Sequence, residues 1–151
     1  MEFQTLFTST RSILKTVPSL RWVDLDKGQL EHYSTRPSVA FPCALIGTNI
    51  VRAKNRNHFT QECEAAIILR VAFDYTGETN AEVDDELLEE SLAYFKIADE
   101  VYKALQGKSD GSTSPLSRVS QTEEPPRADG IKVLRFTITT SFIDNSAKPK
   151  A

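Results

Sequence analysis

Cys63-Glu64-Ala65-Ala66-Ile67-Ile68-Leu69-Arg70-Val71-Ala72-Phe73-Asp74-Tyr75 is apolar at every odd position, while Glu64, Arg70 and Asp74 stand among the even ones, as Glu62 does just before it. Successive side chains of a strand point to opposite faces, so this period of two predicts a strand with one face on a core. Past the turn residues Thr76-Gly77-Glu78 the period changes. Leu87, Leu88, Ser91, Tyr94, Phe95, Ala98, Val101, Tyr102 and Leu105 recur at three- and four-residue spacing, which predicts an amphipathic helix over about 82–106. About thirteen strand residues span roughly 40 Å, and about 24 helical residues span roughly 36 Å. The equal lengths let the helix lie antiparallel along the strand and cover its apolar face, so the rest of the chain has to pack on this unit.

Toward the N-terminus, Phe3, Leu6, Phe7, Thr10, Ile13, Leu14 and Val17 have helical spacing and predict a helix over about 2–16, stopped by Pro18. Arg21 to Leu25 reads as a strand. Asp26-Lys27-Gly28 is turn chemistry, with Gln29 to Tyr33 expected to pair back as a short strand. Asp24, Asp26 and Glu31 lie outward in that hairpin; calcium-loop spacing is missing, so they read as solvated. Val39, Phe41, Cys43 and Leu45 alternate over 38–46, with Pro42 marking an edge or a bulge. Gly47-Thr48-Asn49 predicts a turn and Ile50 to Asn55 a partner strand. Arg52, Lys54 and Arg56 fall on one face at period two, with no acid next to them in sequence. They read either as a solvated hairpin or as a projecting arm that meets an acidic partner surface.

Toward the C-terminus, acids crowd the start of the long helix: Glu82, Asp84, Asp85, Glu86, Glu89 and Glu90. They complement the helix dipole, and Thr79 with Glu82 fits a capping box. Their density exceeds what capping needs, which makes them a second candidate contact surface. A four-three rhythm through Leu87, Ser91, Tyr94, Ala98, Val101 and Leu105 reads as intramolecular packing rather than a coiled coil. Residues 107–130 are rich in Ser, Thr, Gly, Pro and charge, and read as a long flexible loop with a short strand at 116–123. Leu134, Phe136, Ile138 and Phe142 place a last strand over 131–143, and 144–151 is a polar tail expected to fray. The order predicts an α+β fold: an antiparallel, mostly hairpin-connected sheet packed on one long helix (about 82–106) and an N-terminal helix (about 2–16). One domain is expected over 1–151.

A net charge of −3 argues against a general nucleic-acid binder, and no apolar run is long enough for a membrane helix. The first residues lack the basic and apolar regions of a signal peptide, and synthesis in the cytoplasm is expected. Cys43 and Cys63 both fall in apolar strand patterns and read as buried, reduced thiols. Catalytic templates do not fit. Neither His32 nor His58 stands in a nucleophile motif, His58 with Cys63 makes an incomplete metal site, and no glycine-rich phosphate loop occurs. No catalytic residue, metal or cofactor is assigned.

The layout resembles the tail terminator, or tail-completion, proteins of long-tailed bacteriophages and prophages. The resemblance is carried by Pro37-Ser38-Val39-Ala40-Phe41-Pro42, the strand Ala65 to Phe73, Ala104-Leu105-Gln106-Gly107 closing an acidic-started helix, Leu116-Ser117-Arg118-Val119-Ser120-Gln121, and the strand Leu134 to Phe142. Trp22 to Leu30 also resembles small prophage structural proteins of this kind. The resemblance implies a non-enzymatic virion assembly protein that forms a ring, usually a hexamer, on the head-proximal end of the tail tube. Such a ring stops tube polymerisation and presents a surface to the head connector. Its expected partners are itself, the tail tube protein and the connector, and its expected place is the virion tail. Ring contacts between unlike patches would use Arg52, Lys54 and Arg56 against Glu82, Asp84, Asp85, Glu86, Glu89 and Glu90. The competing readings are a head-closure or neck protein of the same particle, or a small hydrolase or nuclease with a dispersed acidic site.

Overall fold

A computed structural model describes residues 1–150. Its elements are α1 (Gln4–Leu14), β1 (Trp22–Leu25), β2 (Cys43–Asn55), β3 (Gln61–Asp74), α2 (Asp85–Ser91), α3 (Ala93–Leu105), β4 (Ser117–Glu123) and β5 (Ile131–Asp144). The five strands form one sheet in the order β1-β2-β3-β5-β4. The α+β class is as expected from the periodicities, and β3 occupies the centre.

The odd-numbered face of β3 carries the main core. Ile67, Leu69, Val71 and Phe73 pack with Ala44 and Ile46 of β2, Leu134, Phe136 and Ile138 of β5, and Tyr94, Ala98, Val101 and Leu105 of α3. Those four α3 residues recur at one helical face, as amphipathic packing requires. Leu6, Thr10 and Leu14 do the same for α1 at four-residue spacing. Each fully buried Leu, Ile or Phe contributes about 1.5–3 kcal/mol by leaving water.

The long helix is interrupted. Leu92 (φ −95°, ψ 2°) separates α2 from α3. The carbonyl of Ser91 accepts the Tyr75 hydroxyl at 2.9 Å, and the Ser91 hydroxyl accepts the Glu78 amide at 2.9 Å. Both contacts draw Ser91 toward the chain leaving β3, so its carbonyl is engaged outside the helical ladder. The start also differs from the capping box expected at Thr79 and Glu82. Asp84 is the N-cap, accepting the Leu87 amide at 2.8 Å. Leu87 and Phe95, assigned to the apolar stripe by spacing, are exposed.

β2 is one continuous strand, not two strands around a Gly47-Thr48-Asn49 turn. Gly47 lies opposite Ile68, where an added Cβ would stand 3.6 Å from the Ile68 carbonyl oxygen, and Asn49 Nδ2 donates to the Ala66 carbonyl at 3.3 Å. Pairing on β3 overrides the local turn signal. The real reversal is at residues 56–60, where the Arg56 amide donates to the Thr60 carbonyl at 2.8 Å.

β1 pairs with β2 in parallel, Trp22 opposite Cys43 through Leu25 opposite Ile46; the other three ladders are antiparallel. A parallel neighbour needs a crossover in place of a hairpin. Here residues 26–42 make it, and no strand forms at Gln29–Tyr33. The buried Gln29 side chain holds the segment instead, its Nε2 donating to Asp24 Oδ2 at 3.1 Å and to the Leu25 carbonyl at 3.0 Å. The crossover lies on the sheet face opposite the helices. It forms a second, smaller core from Leu30, Cys43, Leu45, Ala72, Ile131 and Val133, with Val39 and Phe41 against it. β3 is therefore buried on both faces near its C-terminal end.

Candidate interaction surfaces

A bulge in β2 decides which residues share a surface. In the β2–β3 ladder Leu45, Gly47 and Asn49 lie opposite Arg70, Ile68 and Ala66, but Arg52 and Lys54 lie opposite Glu64 and Glu62. The register shifts at Val51. Without that extra residue the even positions of β2 would face the helices. With it, the three basic side chains stand on the open face of the sheet beside acids. Arg52 Nε is 3.8 Å from Glu64 Oε2, and Arg56 Nε is 3.5 Å from Glu62 Oε1. The basic cluster thus does have acidic neighbours, supplied across the ladder rather than along the chain. These are exposed pairs, each worth about 0–1 kcal/mol, so they partly neutralise the surface without fixing it. An open groove of about 570 Å³ runs past Arg52, Lys54, Glu62, Ser114 and Phe142.

The acidic candidates sit elsewhere. Glu82, Asp84, Asp85, Glu86, Glu89 and Glu90 are all exposed. Asp84 is engaged as the cap, and Glu89 Oε1 lies 3.8 Å from Lys96 Nζ. Through Ser91, α2 is tied to Tyr75, at the Asp74 end of β3, while the basic cluster flanks the Gln61 end. The two ends of that strand lie roughly 40 Å apart at about 3.3 Å per residue. One subunit therefore presents the two charged surfaces at opposite ends of its sheet.

The densest polar cluster was not assigned from sequence. Arg70, only 8% exposed, stands on the second face of β3. Its Nε and Nη2 donate to Oε2 and Oε1 of Glu124, each at 2.8 Å. Glu31 Oε1 lies 2.6 Å from Nη2, and Asp26 Oδ2 lies 3.7 Å from Nη1. Asp26 and Glu31, expected to be solvated hairpin positions, instead converge on this buried cation. Alongside, Arg127 pairs with Asp129 at 2.9 Å and donates to the Leu30 carbonyl, and Tyr33 Oη donates to Asp129 at 2.5 Å. The hydrogen bond from Arg70 holds the Glu124 carboxyl below the usual range. Arg127, then Tyr33, do the same for Asp129. Carboxylates held ionised and saturated by guanidinium donors are poor proton donors at neutral pH. What the cluster does is fasten residues 26–33 and 124–130 onto the sheet.

Tyr94 Oη donates to Glu123 Oε1 at 2.9 Å, and Lys132 Nζ lies 3.3 Å from Glu123 Oε2. Burial, with the Glu123 contact, pushes the Tyr94 phenol up to about 12. His58 is exposed in the β2–β3 turn, whereas Cys63 is buried beside Leu6, Ala65 and Phe142. Among the described residues no group of three or more His, Cys, Asp or Glu side chains is placed to hold a metal ion. No helix among them is long and apolar enough to cross a membrane.

No family model matches the chain, and no curated protein matches it in sequence. Among solved structures, it is similar to a chain of the "Virion of native gene transfer agent (GTA) particle", with a TM-score of 0.53 and 12% sequence identity. The likeness is one of fold. It takes in 89% of this chain and 84% of that one.

Proposed function

We propose that the chain is a non-enzymatic assembly protein of a phage-like particle: a tail terminator that forms a ring, a hexamer in the simplest case, on the tail tube end and joins it to the head connector. The observation that carries this reading is the fold shared, over most of both chains, with a component of a gene transfer agent virion. The charge layout supports it. A protein set between two different partners needs two different end surfaces, and here a basic-rich end and an acidic end lie at opposite ends of β3. The carboxylate cluster at Arg70 supports it from the other side, because its acids are consumed in ion pairs rather than left for hydrolysis.

Electron microscopy of the purified chain, followed by incubation with assembling tail tubes, tests the proposal. Rings that cap one end of each tube and stop its growth are expected. Rings that bind isolated connectors but never tubes would move the protein to the neck of the particle. A monomer at every concentration and salt would end the ring reading.

A further inference from the structure

The sheet ends laterally in two edges. On one side β1 covers only Cys43–Ile46, so β2 from Gly47 to Asn55 has a ladder on its β3 side alone. On the other side β4 is the last strand, is bonded to β5, and is exposed at every residue. Such edges present unpaired amides and carbonyls, and proteins that stay monomeric blunt them with charge, proline or bulges. Both edges here carry a bulge, at Val51 in β2 and Val119 in β4. Protection alone does not explain the residue chosen. Val51 is 61% exposed and Val119 59%, the two highest values among the exposed large apolar side chains of the described residues. Among the described residues, the chain places its two most water-exposed large aliphatic side chains on its two open edges.

The directions of the strands add a second constraint. β2 to β3, β3 to β5 and β5 to β4 are each antiparallel, so β4 runs opposite to β2. In a ring, neighbours are related by rotation about one axis, which preserves the sense of any strand lying along that axis. The β4 of one copy then meets the β2 of the next antiparallel, the pairing already used by three of the four ladders. The two edges differ from each other, as a head-to-tail contact that closes into a ring requires. In this arrangement Arg52 and Lys54 lie within the seam strand itself, while Arg56, beyond the end of β2, and the acids of α2 stay outside it.

Resting on the ring reading above, we propose that the occupant of these edges is a second copy of this chain: Ser117–Glu123 of one subunit adds as a strand to Gly47–Asn55 of the next, with Val51 and Val119 covered at the seam. Val51→Cys and Val119→Cys variants of the full chain, carrying different tags and co-expressed, test it with a short bismaleimide. Both valines are exposed, so either variant is expected to fold, and the native Cys43 and Cys63 are buried and do not compete. Covalent dimers containing one chain of each variant are expected, with none in either variant alone. Dimers within the Val51→Cys sample alone would show like edges meeting and overturn the proposal. Oligomers by light scattering with no cross-link in the mixed sample would also overturn it while leaving the ring intact. A monomer at every concentration would remove the ring and this proposal with it.

Discussion

Arg70 and Glu124 form a two-point ion pair, Nε to Oε2 and Nη2 to Oε1 at 2.8 Å each, between the middle of the central strand and the β4–β5 connection. With Asp26 and Glu31 also drawn to the guanidinium, one cation joins three separate stretches of chain. Removing it leaves three carboxylates facing one another. Arg70→Ala is expected to cost about 3–5 kcal/mol, the usual loss when one partner of a buried pair is deleted. Arg70→Lys is expected to recover only part of this, because an ammonium cannot match the paired geometry. Urea denaturation of the three proteins checks both statements, and an Arg70→Ala loss below about 1 kcal/mol would show that the cluster is not a fastener.

The same pairs predict how stability depends on acid. Glu124 and Asp129 have folded-state pKa values lowered by Arg70 and Arg127. A lowered folded pKa contributes stability that is fully present above the unfolded carboxylate value, about 4, and is lost as pH falls through the folded one. The denaturation midpoint is expected to hold from neutrality to about pH 5 and then to decline. Glu124→Gln, which cannot ionise, is expected to begin lower and decline less steeply between about pH 5 and pH 3. Parallel curves for the two proteins would remove Glu124 from the account.

Regular alternation made β3, β5 and the α3 stripe legible, because each carries its burial pattern in consecutive residues. What failed to show depended on partners distant in sequence. Gly47 reads as a turn until Ile68 is known to lie opposite it. The bulge at Val51 left one trace, since Cys43 and Leu45 share a face at odd positions and Arg52 and Lys54 share that same face at even ones. Nothing local announces that Trp22–Leu25 runs parallel to β2, because that choice is made by the apolar residues of the crossover, Leu30, Val39 and Phe41, finding the second face. Arg70 gave a usable signal: an arginine inside an apolar run needs counter-charges, and Asp26 and Glu31, read as solvated, were available along with Glu124. The charged candidates were each found in sequence, but their separation to opposite ends of β3 required the fold.

The two thiols are expected to be inert in the native state. Burial pushes the Cys43 thiol up to about 11 and raises that of Cys63, so little thiolate exists near neutrality. They are also far apart. Cys43 lies opposite Ala72, and positions 63 and 72 of β3 are separated by roughly 30 Å at about 3.3 Å per residue, against the few ångströms a disulfide spans. A thiol reagent at pH 8 is expected to react with neither until denaturant is added, then with both. Fast reaction in the native protein would show that the Cys63 end of the sheet opens.

Reversal of charge at the basic end separates stability from assembly. Arg52 and Arg56 pair with Glu64 and Glu62 only at the exposed surface, and exposed pairs contribute about 0–1 kcal/mol each. Arg52→Glu with Arg56→Glu is therefore expected to move the thermal midpoint by no more than about 8 °C. If that end meets an acidic partner, the same variant loses capture of tubes or connectors while light scattering still finds the ring. The wild-type contact is expected to weaken between about 0.05 and 0.5 M salt, as the screening length falls below about 10 Å, and the variant to show little of this dependence. A partner bound equally well by both proteins, with the same response to salt, would clear Arg52 and Arg56. Loss of the ring in the double variant would trace to Arg52, which neighbours Val51 in the seam strand, and Arg56→Glu alone, outside β2, then reads the partner contact by itself.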